Sequence, residues 1–427
     1  MANWTSEAVL ALAPDAPSAQ AGKGLASASK WVSFATDGAT AWGLAKGSGK
    51  EPYQVAIDLV EPAFKCSCPS RKFPCKHGLG LLLLVAQGSV AQGSPPDFVG
   101  EWLSKRQAKA AVVAEKGEKA PDPAAQAKRA KKREERVSDG VEECALWLRD
   151  TVRQGLSSSS VSTVQHFEAV AARMVDAQAP GLARRLRDMG ATVHAGDGWQ
   201  ERWTEQLANL HLIVEGHRRR EELPEEIRHD VAAAVGFTLK RDELPEELHV
   251  SDHWNVVGQH RYAEEKLMVQ RSWLWGERTG RWACVLAFSV ANSPFDPMLA
   301  PGTAFEGNMA FYPGGEGLRA LPLDRQDVDY RPPVGVGIEE MLEAFSDRLT
   351  RCPWTESIPV ALEAIRLAGP DWQAVDAAGS RLPIVSDYEP WSRLAATGGQ
   401  PASMFAEWDG WVLRPLSGFY EGEWIGA

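Results

Sequence analysis

A chain of 427 residues, 44% hydrophobic and 24% charged, is long enough for two or three domains that each bury a core. No apolar run reaches the about 18–20 residues of a membrane span, and six cysteines, with Cys144, Cys284 and Cys352 scattered in unlike contexts, make no disulfide framework. The net charge of −11 is uneven: residues 1–136 hold 19 Lys and Arg against 13 Asp and Glu and the remainder 27 against 44, so only the first third is a candidate for binding nucleic acid.

Met1-Ala-Asn-Trp-Thr-Ser-Glu7 lacks the charged and apolar regions of a secretory signal. With the cysteine usage, this sets the expectation of a reducing, cytoplasmic location. Residues 5–21 read as a helix followed by Ala/Pro/Ser-rich turns. Three short strands follow, over 31–35, 39–45 and 53–59, with a type I′ hairpin turn at Asp37-Gly38 and a second turn over 47–52. Gly78 to Ala86 reads as a short buried helix. From 91 to 138 the composition shifts to a basic, Ala/Pro-rich linker, with 11 basic and five acidic residues over 105–136.

Residues 139–235 have helical periodicity, predicting a bundle of four or five helices. Val141, Ala145, Leu148 and Val152 share one face; Phe167, Val170, Ala171, Met174 and Val175 share another. Trp199, Trp203, Leu207, Leu210 and Val214 form a third stripe, with Asp197 as N-cap. From 236 the pattern turns to strands over 254–258, 267–275, 281–290 and 305–312, then to helices over 337–349 and 358–367, then to short strands. Ten of the 17 tryptophans lie beyond residue 250 and are expected in the core. The fold expected is multidomain α+β: a small ββα-type N-terminal unit (1–90), the linker (91–138), a helical bundle (139–235) and a Trp-rich α+β unit rich in antiparallel sheet (236–427).

The most specific chemistry lies in Cys66-x-Cys68, a six-residue gap, then Cys75-x-His77. Three thiolates and one imidazole make a complete tetrahedral shell for one Zn²⁺, with no position left open, so the site should be structural. Side chains at i and i+2 of an extended chain share a side, which lets Cys66 and Cys68 face one ion. Pro74 fixes the approach to Cys75, expected just ahead of the helix, where unpaired N–H groups favour thiolate. Three thiolates and Zn²⁺ sum to −1, amid Lys65, Arg71, Lys72 and Lys76. A redox pair fits the spacing poorly, and an Fe–S cluster wants four cysteines.

This CxC…CxH pattern after a β-hairpin resembles the SWIM zinc finger, and all four ligand positions match. Gly47 to Tyr53 and Asp58 resemble stretches that precede the motif in bacterial stand-alone members. The resemblance covers about residues 30–90. It implies a strand-strand-helix fold, zinc on Cys66, Cys68, Cys75 and His77, and binding of DNA or proteins. It further implies a protein partner such as a MoxR-type AAA+ ATPase or a von Willebrand A-domain protein.

Other constellations are weaker. The basic run 105–136, with residues 65–76, could track phosphates, although no aromatic residue lies between Leu103 and Arg136 for base stacking. Phe73 could dock a partner or pack on the finger's own helix. His249, Asp252, His253 and His260 have loose metal-ligand spacing. Gly47-Ser-Gly-Lys50 and Gly22-Lys-Gly24 lack the spaced glycine and the Ser/Thr of a phosphate loop. The expected function is a non-enzymatic, zinc-stabilised interaction protein. The alternatives are DNA binding through the finger and residues 105–136, or an enzyme with its active site in the C-terminal body.

Overall fold

The computed structural model of the chain describes residues 4–47, 51–60, 63–70, 72–106, 123–155, 163–196, 198–264, 267–290, 295–315 and 317–426. Two short helices come first, α1 (Ser6–Ala11) and α2 (Ala16–Lys23). The second replaces the expected turns. Asp15 starts it by accepting from the Ser18 N–H at 2.7 Å, and Pro17 sits in the first turn, where a missing N–H is harmless.

A four-stranded antiparallel meander follows: β1 (Trp31–Thr36), β2 (Thr40–Ala45), β3 (Tyr53–Asp58) and β4 (Ala63–Cys66), in that order across the sheet. The fourth strand, too short to show alternation in the sequence, places Cys66 opposite Val55. The β1–β2 turn is not type I′, because of its residues only Gly38 has positive φ, at 92°. Asp37 closes it instead, accepting from the N–H groups of Ala39 and Thr40 at 3.0 and 2.6 Å.

Helix α3 (Lys76–Ala86) buries Leu79 and Leu81–Leu84 against Val55, Ile57 and Phe64 on one face of the meander. Helix α4 (97–106) covers the other face, with Val99 on Trp42 and Ala56. The stretch expected as linker from residue 91 therefore begins as part of the finger's packing. Gln92 bridges to Thr36, and Arg106 reaches Asp58 at 3.4 Å.

The bundle comprises α5 (Pro123–Gln154), α6 (Val164–Asp176), α7 (Pro180–Thr192), α8 (Trp199–Arg218) and α9 (Glu225–Val235) around Phe167, Met174, Leu182, Leu186 and Trp203. Helix α5 runs unbroken through 138–139, where a boundary was expected. Val152 and Val175, expected inside, are 65% and 44% exposed. The buried stripe of α5 steps through Val137, Val141, Cys144, Leu148 and Thr151, and its drift selects Thr151 over Val152. Asp197 lies outside the described residues, and α8 starts after Gly198.

The C-terminal body holds two antiparallel sheets. One comprises β5 (His249–Glu264), β6 (Leu267–Gly276), β7 (Trp282–Val290), β8 (Ala304–Phe311), β9 (Ala320–Pro322) and β10 (Gln326–Val328), in order 10-8-5-6-7 with β9 beside β8. After α10 (Ile338–Arg351), the other comprises β11 (Ile358–Ala368), β12 (Gln373–Val375), β13 (Arg381–Pro383), β14 (Ala402–Trp408), β15 (Leu413–Tyr420) and β16 (Glu423–Gly426), in order 13-12-11-14-15-16; α11 (Trp391–Thr397) lies between β13 and β14. The sheets pack through Val257 on Ala361 and Phe405, and through Trp273 and Cys284 on Leu416.

The helix expected over 358–367 is strand β11. Its apolar spacing looks helical because a bulge between Leu362 and Ile365, with Ala364 at φ 51°, interrupts the alternation of Ile358, Val360 and Leu362. Of the tryptophans beyond 250, Trp254, Trp273, Trp354 and Trp408 are buried, but Trp391 and Trp411 are 65% and 37% exposed.

The units interlock. Met298 and Ala300 from the body sit in the finger core, and Arg261 donates to the Ala13 carbonyl at 3.2 Å. Cys352 and Trp354 complete the bundle core, and Trp411 of the body donates to Glu205 of α8.

Candidate metal centre

The four sequence-expected ligands arrive from three directions. Cys66 ends β4, Cys68 lies two residues on in the extended knuckle, and Cys75 is the N-cap of α3, with φ −75° and ψ 163°. His77 projects from the first turn of that helix and is buried. Their ligand atoms all lie within 4.8 Å of one another, and Cys66 Sγ stands 3.8 Å from His77 Nδ1. A tetrahedral ion with Zn–S bonds of about 2.3 Å sets neighbouring ligand atoms about 3.5–3.8 Å apart. The cluster fits one structural Zn²⁺ with only a slight contraction, and its donor set is the soft one that zinc prefers over hard cations.

The three sulfurs perturb one another's ionisation. The Cys66 thiol facing Cys75 lowers the Cys75 pKa to about 4, helped by His77, while the same contact and burial push Cys66 well up. Burial also raises Cys68. A divalent cation would draw the protons from the sulfurs as it binds.

Neighbours that spacing alone did not reveal hold the cluster in place. The Tyr53 ring lies 5.0 Å from the His77 ring at a tilt of 45°. Tyr53 opens β3, an inner strand of the meander, opposite Ala45 of β2, so only the fold brings it to His77. Phe73 packs edge-on against Phe64 at 6.0 Å, inside the finger, so it is not a free anchor for a partner. Lys72 pairs with Asp15 at 2.6 Å, tying the knuckle to α2. Arg71 lies outside the described residues.

The other candidates do not converge. Asp252 is fully buried and shapes the β6–β7 turn, accepting from the N–H groups of Arg278 and Thr279 at 2.9 and 3.0 Å and from the Thr279 hydroxyl at 2.6 Å. His253 Nε2 lies 2.8 Å from the Asp329 carbonyl, and His260 lies 3.6 Å from Glu407. Among the described residues only the Cys66–His77 cluster groups three or more metal-competent side chains. A cleft of about 720 Å³ opens beside His253, but Arg278–Glu306 at 2.8 Å and Arg331–Glu277 at 3.0 Å pair charges across it. Of the basic run, residues 107–122 lie outside the description. Lys128, Arg129, Lys131 and Lys132 are exposed on α5, and Arg133 stacks on Phe237 at 4.8 Å.

Comparison with known families agrees with this geometry. Residues 53–86 match the SWIM zinc finger, and residues 132–235 match the SWIM-associated four-helix bundle domain. No curated protein and no solved structure matches the chain. The chain carries a zinc-binding finger of the SWIM type, the class that mediates protein or DNA interaction, together with its associated bundle. No described helix is long and apolar enough to cross a membrane.

Proposed function

We propose that the chain is a non-enzymatic interaction protein. In this reading Cys66, Cys68, Cys75 and His77 ligate one Zn²⁺ that holds the finger's shape, and the finger presents its surface to a protein partner. The units expected at 1–90, 91–138, 139–235 and 236–427 act as finger, connector, bundle and body, with α4 shared between the first two. The body docks a second partner in the cytoplasm. A partner of the AAA+ ATPase or von Willebrand A-domain class belongs to the same reading and rests on the family resemblance. The supporting observation is the Cys₃His cluster on a finger locked to its body through Met298 and Ala300. Affinity purification of the full chain and of Cys75→Ser from its own cells tests it. Partners of the finger are lost with the substitution and those of the body are retained; loss of none sinks the finger's role.

A second reading, DNA binding, is favoured by one observation: the exposed cations Lys128, Arg129, Lys131 and Lys132 on one continuous helix. Phosphate contacts of this kind weaken steeply with salt. Absence of duplex binding by the full chain near physiological salt removes this reading.

A further inference from the structure

Beside the zinc centre α2, the end of β2, the start of β3 and the knuckle enclose a groove of about 560 Å³. Its rim carries three exposed ammonium groups, Lys46, Lys72 and Lys76. Its wall is largely apolar, with half-buried Leu25 of the α2–β1 connection and the Tyr53 ring beside Ser18 and His77, and the partly exposed Cys68 closes it. We propose that this groove binds an acidic polypeptide segment carrying one apolar anchor side chain. The proposal rests on the reading of the finger as an interaction module and names that module's docking site and the chemistry of its partner.

Three features favour polypeptide over nucleic acid. The cations sit at the rim while the wall is apolar, so charge is met at the edge and an aliphatic or aromatic side chain is covered at the centre, which is how peptide grooves divide their work. Cys68 lines the groove, and a metal-held sulfur still accepts hydrogen bonds; a peptide backbone has N–H groups to donate, whereas a sugar-phosphate backbone has none in DNA. A cluster of three thiolates and Zn²⁺ carries net −1, which disfavours any anion at the wall and suits an apolar side chain there, with the peptide's carboxylates kept at the rim. The rim is also partly held: Lys72 Nζ pairs with Asp15 at 2.6 Å, and Lys46 Nζ donates to the Ser29 carbonyl at 2.8 Å. Both ammonium groups are thereby positioned with N–H bonds to spare, so the groove is pre-organised and little side-chain entropy is lost on binding.

The test uses the full-length, zinc-loaded protein and an array of 12-residue peptides with Asp or Glu at alternate positions and one Leu, Phe or Ala in the middle. Bound sequences are then titrated as fluorescein-labelled peptides. Leu or Phe peptides are expected to bind, Ala versions at least tenfold more weakly. The double variant Lys46→Glu, Lys76→Glu should weaken binding at least tenfold with zinc stoichiometry unchanged; Lys46→Ala, Lys76→Ala serves should charge reversal impair folding. A 20-base-pair duplex should not compete. No binding by any acidic peptide, equal binding by the zinc-loaded double variant, or displacement by the duplex would overturn the proposal. The same double variant, run in the affinity purification above, separates the two claims. Retention of partners that Cys75→Ser loses leaves the finger reading intact and removes the groove; a Cys75→Ser protein that loses none removes the finger reading itself.

Discussion

Cys75 stands at the N-cap position of α3 and supplies one sulfur of the cluster. Replacing it with Ser removes one of four ligands and keeps the cap's geometry. Elemental analysis of Cys75→Ser should fall from one zinc per chain to none. Because structural zinc contributes about 10–16 kcal/mol to the folding of isolated fingers, the finger should lose its protection from proteolysis in that variant. A protected, zinc-free variant would show that packing alone sustains the fold. Glu356 is the informative residue on the opposite seam. Its side chain is 37% exposed; desolvation by the surrounding protein opposes its ionisation, but Arg185 at 2.8 Å and Arg184 overcome this and hold it down at about 2, against an ordinary value of 4.5. A depressed carboxyl stabilises the fold fully above the unfolded value and loses that effect as pH falls towards the folded one. Acid denaturation of the wild type should therefore steepen between about pH 4.5 and 2. In Glu356→Gln the slope over that window should shrink, as followed by tryptophan fluorescence; an unchanged slope would deny the pair this role.

Helix α3 is set by glycine as much as by leucine. A Cβ on Gly80 would lie 2.6 Å from Leu25 Cβ and 3.2 Å from the Leu25 carbonyl carbon, so the helix comes this close to the α2–β1 connection only because the side chain is absent. Gly80→Ala should destabilise the zinc-loaded protein by about 1–3 kcal/mol, despite alanine's better helix propensity. A rise in the urea midpoint would refute the close approach. Between the body's sheets, Trp273 donates its indole N–H to the buried Glu407 at 2.6 Å. Trp273→Phe keeps most of the apolar area and leaves the carboxylate short of a donor, with an expected loss of about 1–3 kcal/mol in chemical denaturation.

At the scale of the molecule the finger is not a tethered bead. Met298 and Ala300 complete its core, α4 covers its second face, and Arg261 reaches across to the Ala13 carbonyl. Losing the metal should therefore loosen the body where it meets the finger. With chelator and reductant present, hydrogen exchange should speed up at residues 298–300 and around Arg261, while the α6–α7 core around Phe167 and Leu182 stays protected. Exchange confined to residues 31–86 would mean that the seam carries no coupling.

The Cys₃His cluster was legible in the chain because Cys-x-Cys and Cys-x-His are local patterns: two side chains two residues apart on an extended run, and two at a helix start, need no distant information. The buried leucines of α3 and the stripes of α6 and α8 were readable for the same reason, since helical neighbours are close in sequence. Three features depended on contacts between distant residues. Strand β11 takes its conformation from β12 and β14, and its bulge imitates helical spacing. Helix α4 joins the finger because Trp42 and Ala56 need cover on the sheet's second face. The groove exists because Asp15, Lys46, Tyr53 and Lys72 meet across four segments. Local pattern carries the chemistry of the ion; which surfaces are covered and which stay open is decided by long-range packing, whose partners are not neighbours in the chain.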